Sequence, residues 1–329
     1  MFFRLDQMIR PCVSTVLLSC TLTFLPMAAM PCGFHAVSAR ESVVSSLMDG
    51  AVVVLATTDP DMPFQYKASE AIKGDLTEAE IPFLVDSTTR RKLGSNLDGR
   101  VLFAKNAETG NWARLAYIDT SNRQVFQHIL SNLEAWSTQR VSRYQFFGSL
   151  LSHKEPSIRN MALTELDQAP YSILQTLDTS SDTQTLLGSF SNPREMYLKP
   201  AKILTLGFSD SEAAGQFLLQ GFERSLTHAQ DRLLGAYATA IIERDGLDGV
   251  NKVSAAVSAA SHLSAESQDA IFQAMMIHYL HGPRQTREAI AKTLRHWIVN
   301  DPGFAEIARN SVAARPDSLV PSQRRGIRF

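Results

Sequence analysis

Trp112 to Trp136 reads WARLAYIDTSNRQVFQHILSNLEAW, and the hydrophobic rhythm changes within it. WARLAYID, with its aromatic and branched residues, has the character of a short strand. In QVFQHILSNLEAW, Val125, Ile129, Leu133 and Trp136 recur three or four apart and share one stripe of a helix. Ser121 and Gln124 between the two have the spacing of a capping box, which predicts a helix start there. The switch divides the chain into a strand-bearing part before residue 120 and a helical part after it.

Working back from Trp112, VLFAK (Val101 to Lys105) and WARLAYID flank a loop containing Gly110 and read as a hairpin. In FQYKASEAIKGD, Phe64, Tyr66, Ala68 and Ile72 fall on one face of a strand, and Gln65, Lys67, Ser69 and Lys73 on the other. Glu70 is the imperfection, since it lands on the apolar face, and Gly74 supplies a turn. SVVSSLMDGAVVVLATT holds the β-branched run Val52 to Leu55, closed by the turn cluster TTDPD. IPFLV (Ile81 to Val85) is another short strand candidate. About five strands in so short a span predict a small barrel or sandwich over residues 40–120.

Working forward, residues 121–314 are helical by pattern, and SLVPSQRRGIRF in the 315–329 tail has no periodicity. Ser209 with Glu212 and Thr227 with Gln230 have capping-box spacing. Leu234, Tyr237 and Ile241 share a face, as do Ile271, Phe272, Met275, Met276 and Tyr279, and Ile290, Leu294, Trp297 and Ile298. Helices of this length joined by short loops bury their stripes by packing antiparallel.

LSHKEPSIRNMALTEL (Leu151 to Leu166) resembles a HEAT repeat. In that family a proline turn opens a second helix that carries an arginine, then a small residue, then a leucine. Here those are Pro156, Arg159, Ala162 and Leu166. HGPRQTREAIAKTL echoes the pattern with Pro283, Arg287 and Leu294, although Ile290 stands where the family has a small residue. The resemblance implies stacked helix pairs in units of about forty residues. The small residue would let helices approach, the leucine would fill the shared core, and the arginine would bond an acidic side chain or carbonyl nearby. The alternative is a non-repetitive helical bundle. Tyr66 to Gly74, then LDGRVLFA (Leu97 to Ala104), is similar to the netrin-like, tissue-inhibitor-type domain, which implies an OB-type barrel. The family's cysteines are missing, including the N-terminal one that engages a metal, so metalloprotease inhibition does not carry over. The fold class expected is therefore α+β: a small OB-like N-terminal β-barrel followed by an all-α HEAT-like array.

Of the 329 residues, 44% are hydrophobic and 20% charged, the balance of a folded protein. The formal net charge of -1 gives no broad attraction to nucleic acid. Arg90, Arg91 and Lys92 form the compact internal basic cluster, read as a solvated turn, and Arg324, Arg325 and Arg328 lie in the tail. MFFRLDQMIR carries Arg4 and Arg10, an uncharged apolar run follows, and AVSA ends at Ala39. That order is the plan of a secretory signal over residues 1–39, with Arg40 as the first mature residue. An uncleaved membrane anchor is the alternative, interrupted by Pro26 and Pro31. Leu17-Leu18-Ser19-Cys20 is a degenerate lipobox, but the apolar run continues past it. Cys12, Cys20 and Cys32 all precede Ala39, so the mature chain would hold no thiol nucleophile, disulfide or cysteine zinc site.

Acyl-transfer and phosphate-binding motifs are absent. His278 and His281 have an i, i+3 spacing that could face a cation, yet no Asp or Glu in that turn completes a site. Asp59, Asp61 and Asp86 offer carboxylates, but too few for calcium. No catalytic, metal or cofactor-binding residue is assigned, and no cofactor is expected. The residues singled out are the repeat motif: Pro156, Arg159, Ala162, Leu166, Pro283, Arg287 and Leu294. The function expected is an exported, non-enzymatic scaffold that holds protein partners in the envelope or outside the cell. The rival is a cell-envelope metal-dependent hydrolase at the barrel–helix junction, where folding would gather some of His128, His153, His228, His278, His281 and His296.

Overall fold

The structure, a computed structural model, describes residues 41–177, 183–228, 232–260 and 262–313. The signal-like segment 1–39 and the tail 315–329 lie outside the described residues.

The class is α+β, with a four-stranded antiparallel sheet followed by helices. The first element is a helix, α1 (Val43–Met48), where the pattern suggests strand. Ser42 starts it by accepting from the Ser45 amide at 3.1 Å, and Val44 and Leu47 are buried. The strands are β1 (Gly50–Thr58), β2 (Tyr66–Lys73), β3 (Arg100–Asn106) and β4 (Trp112–Ile118), in the order β2-β1-β3-β4. β3 and β4 pair antiparallel, as the hairpin reading expects.

The sheet is open rather than a closed barrel, with β2 and β4 at its edges. IPFLV makes only an isolated bridge, Leu84 with Gln65, so it adds no fifth strand to close the sheet. Instead it leads into α2 (Ser87–Ser95), which includes Arg90, Arg91 and Lys92; those three stand on a helix and not on a turn. Segment 81–95 covers one face of the sheet. Val85 and Leu93 there pack with Val52, Val54, Ala56, Tyr66, Val101 and Phe103 in a small core.

β2 corrects the simple alternation. Its register against β1 slips twice, between the partners of Val53 and Val54 and between those of Leu55 and Ala56, leaving Ile72 and Ser69 as the extra residues. Each bulge turns the following side chains to the opposite face. Tyr66 and Ala68 join the small core as expected, but Ala71 takes the next place there, while Ile72 packs on the helical side. Glu70, the misfit of the pattern, pairs with Leu55 at the exposed edge.

The opposite face of the sheet carries Val53, Leu102, Ala104 and Ile118, which belong to the same apolar cluster as the helices. The helices are α3 (Arg123–Trp136), α4 (Arg140–Ser149), α5 (Pro156–Leu166), α6 (Tyr171–Leu174), α7 (Thr183–Gly188), α8 (Lys199–Gly207) and α9 (Glu212–Leu226). They continue with α10 (Leu234–Asp245), α11 (Leu247–Ala259), α12 (Ala265–His281), α13 (Arg284–Asn300) and α14 (Pro302–Ala313). The rhythm change falls where the sequence places it, but the start of α3 differs. Asn122 precedes the first turn, and Ser121 instead bonds Asp119, its amide at 2.8 Å and its hydroxyl at 2.6 Å. Thr227 ends α9, donating its hydroxyl to the Arg224 carbonyl, and Gln230, its partner in the predicted cap, lies outside the described residues.

Helices α8, α10, α12 and α14 touch in succession, and α11 touches α13 beside them, so the C-terminal part is a two-row stack. α10 is its centre: every residue from Leu234 to Ile242 is buried, and α8, α9, α11 and α12 pack around it. Close approach explains one glycine: a Cβ on Gly207 would lie 2.8 Å from the Cα of Ala240, so α8 and α10 meet nearly backbone to backbone. Between α5 and α8 stand the short helices α6 and α7 and the 3₁₀ turn Pro193–Leu198.

Candidate functional site

The polar chemistry of the described residues concentrates in three buried cross-ties. The first joins the start of the chain to the helices. Arg143 of α4 donates from Nε to Glu165 Oε1 of α5 at 2.6 Å, and its Nη2 also meets that carboxylate. Arg143 Nη2 further reaches the hydroxyls of Ser42 and Ser45 at 3.5 Å, which ties α1 down. Glu165 is wholly buried; burial pushes its carboxyl up, against the opposing pull of the Arg143 guanidinium.

The second joins the 3₁₀ turn of residues 193–198 to α8. Lys202, 1% exposed, donates from Nζ to Glu195 Oε2 at 2.5 Å, to the Ser189 carbonyl at 3.0 Å and to its hydroxyl at 2.9 Å. All three ammonium donors thus have a partner. Burial works against the Glu195 charge, but Lys202, Asn160 and Asn192 together hold its carboxyl below the ordinary range.

The third gathers Tyr171 of α6, Glu243 of α10 and His278 of α12. Glu243 Oε2 accepts from the Tyr171 hydroxyl and from Gln175 Nε2, the latter at 3.0 Å. His278 Nε2 lies 2.9 Å from the Thr239 carbonyl. A carbonyl only accepts, so Nε2 carries the proton and Nδ1 is left facing Glu243 Oε2 at 3.8 Å. Burial moves the imidazole below its usual range, opposed by Glu243. Three ionisable side chains converge here, but Tyr171 is 6% exposed and His278 2%, and their polar atoms face one another across a helix seam. That arrangement ties α6, α10 and α12 together.

Of the remaining histidines, His281 lies beside this cluster, its ring 6.4 Å from that of Tyr171, and the others stand apart. His128 stacks on Phe146 at 4.3 Å, His153 Nδ1 accepts the Glu155 amide, His228 bonds the Arg224 carbonyl, and His281 and His296 are exposed. Among the described residues no three His, Cys, Asp or Glu side chains gather as a metal site. Asp86 is occupied in capping α2. It accepts from the Thr88 and Thr89 amides, from the Thr89 hydroxyl at 2.6 Å and from Arg114 Nη1 at 2.9 Å. Thr89 first, then Arg114, holds its carboxyl well below the usual carboxylate range. Asp59 accepts the Asp61 amide at 2.9 Å in a tight turn. In the basic cluster, Arg90 lies over the Phe64 ring at 4.6 Å and Lys92 over Tyr117 at 5.1 Å.

The repeat-motif residues divide. Pro156 opens α5, and Ala162 and Leu166 are buried in the shared core. Arg159 Nη1 donates to the carbonyls of His153 and Lys154 at 2.7 and 3.0 Å, so it staples the turn before its own helix. Pro283 precedes α13, and Ile290 and Leu294 are buried, but the Arg287 side chain is exposed and makes no ion pair with a described residue. The two echoes match in apolar filling and differ in what their arginines do.

A cleft of about 160 Å³ lies between α9, α10 and α11. That is smaller than the several hundred Å³ typical of small-molecule sites. On its rim Asp245 meets Arg244 at 2.5 Å and Lys252 at 2.7 Å, and Glu212 accepts from Gln216 Nε2 at 3.3 Å. No helix among the described residues is long and apolar enough to cross a membrane. No family model, curated protein or solved structure matches this chain.

The cross-ties are the polar features that pattern reading missed. Glu165 and Lys202 did leave a signal, each being a lone charge inside an apolar helical run, MALTEL and AKILTL. Such a charge must find a partner if its stripe is buried. Glu243 had no local signal as the partner of His278, because it comes from a helix 35 residues earlier.

Proposed function

We propose that the chain is an exported scaffold that holds protein partners on the outward faces of its helical stack. The observation that carries this reading is the two-row succession of α8 to α14, with its converging charges used internally as cross-ties. A stack of that kind presents extended surface without a deep pocket. The sheet covers the first helices, since Val53 and Leu102 pack into the helical core, and so it serves as the cap such an array needs. Export is supported by the basic, apolar and small-residue order of residues 1–39.

Two measurements on the full chain, tagged at its C-terminus and expressed in a cell with an envelope, test the reading. Mass spectrometry of the purified protein should give a chain beginning at Arg40. Cross-linking in intact cells should give a saturable complex with one or a few envelope proteins. A chain recovered from the cytosol with residues 1–39 intact rejects export. Absence of any saturable complex rejects the scaffold.

A further inference from the structure

The charge of this chain is unevenly distributed. From residue 284 onward there are nine cations, Arg284, Arg287, Lys292, Arg295, Arg309, Arg315, Arg324, Arg325 and Arg328. Against them stand four anions, Glu288, Asp301, Glu306 and Asp317, so this end carries +5. The whole chain carries -1, which leaves -6 on residues 1–283.

Within the described residues the excess is concentrated on one helix. The inner side of α13 buries Thr286, Ile290, Leu294 and Trp297. Its outward side presents Arg284, Arg287, Lys292 and Arg295 with Glu288 as the lone anion, all exposed. Arg284, Arg287, Ala291 and Arg295 fall at i, i+3, i+7 and i+11, one stripe about 16 Å long at 1.5 Å per residue. Half-buried Ala291 leaves the middle of the stripe low. Arg284 spends Nε on Glu288 at 2.8 Å, and Arg295 spends Nε on the Ala291 carbonyl at 3.1 Å. Arg287 and Lys292 make no ion pair with any described residue. Other helices of the stack differ: exposed positions of α9 mix Glu212, Gln216, Gln220, Glu223 and Arg224, and α11 sets Asp248 against Lys252. On α2, two of the three clustered cations are already seated on aromatic rings.

We propose that the outward face of α13 is a docking surface for an acidic, extended segment of a partner protein, an inference that rests on the scaffold reading above. The guanidinium groups offer forked donors suited to carboxylates. Two other anionic partners fit less well. A lipid surface is bound by helices that insert an apolar side, and the apolar side of α13 is already packed against its neighbours. A long nucleic acid or membrane would also meet the -6 carried by the rest of the chain, whereas a segment contacting only a 16 Å stripe would not.

The test uses the full chain and a fluorescein-labelled alternating Glu-Gly peptide, about ten residues long to overreach the stripe at ~3.4 Å per residue. Anisotropy at low salt should show binding that weakens as salt is added. Arg287→Glu with Lys292→Glu should weaken it about tenfold or more, while Arg91→Glu with Lys67→Glu, the same charge change elsewhere, should leave it within about threefold. Equal loss in both double variants, or no binding by the wild type, overturns the proposal. So does binding to phosphatidylglycerol vesicles or duplex DNA that exceeds peptide binding and disappears with the α13 changes. If cross-linking in cells yields a partner whose capture survives the α13 changes, the scaffold reading stands and this surface alone is rejected.

Discussion

Replacing Arg143 by Met should be among the most damaging single changes in the protein. Glu165 is wholly buried and Arg143 is its cationic partner. Met keeps most of the aliphatic stem and removes the charge, so the effect isolates the ion pair from the packing. Breaking a buried pair from one side costs about 3–5 kcal/mol, because the remaining carboxylate must either stay charged without compensation or take up a proton. At about 2–4 °C per kcal/mol for a chain this large, the midpoint should fall by about 6–20 °C. Urea titration followed by tryptophan fluorescence reads it directly, since Trp136 lies in the same apolar cluster as α4 and α5. The pH dependence has a definite sign. Burial already raises the Glu165 carboxyl above its unfolded value, so its contribution is fullest below the unfolded pKa and declines as pH rises through the folded one. Without Arg143 the folded value rises further, so the deficit of the variant should shrink as the solution is acidified. Adding Glu165→Leu to Arg143→Met removes both charges and should recover most of the loss. A cost under about 1 kcal/mol, or a double variant no more stable than the single one, would refute the account of this pair.

Three further outcomes follow from other elements. Gly207→Ala should destabilise by about 1–3 kcal/mol despite the better helix propensity of alanine, because the new methyl meets the Ala240 backbone of α10; a stabilised variant in thermal melts would mean the two helices can separate freely. His278→Gln should flatten the stability profile below about pH 6.5. The neutral imidazole is favoured in the fold, among Tyr171, Glu243 and His281, so its contribution is present above the unfolded pKa and is lost as pH falls; an unchanged profile in melts across that range rejects this. Asp86→Ala should cost about 0.5–2 kcal/mol through the lost cap of α2, read as faster amide exchange at Thr88 and Thr89 while α13 is unaffected.

Hydrophobic rhythm carried the class and the position of the strand-to-helix change, because burial on one side writes its period directly into local sequence. The hairpin of β3 and β4 and the stripes of α10, α12 and α13 were legible for that reason. Barrel closure was not, since it depends on whether IPFLV finds a neighbour over several residues, a long-range matter. The face of Ile72 was misassigned because a bulge adds one residue without any mark in the alternation except Glu70 landing on the wrong side. The predicted cap at Ser121 failed because another local bond competed: Ser121 found Asp119. The cross-ties were the least legible part, since each pairs residues on different helices. The outward face of α13 could be seen in its spacing once the buried stripe was known.

The double bulge of β2 has a further consequence. An open sheet leaves two borders where a foreign strand could align and extend the ladder. Along β2 that border is irregular at Ser69 and Ile72, and Lys67, Glu70 and Lys73 are exposed beside it. A regular incoming strand loses register within a few residues, so this side of the molecule resists recruitment into larger β assemblies. Deleting Ser69 would restore one straight run and should make the protein measurably more prone to form thioflavin-binding aggregates than the parent at equal stability.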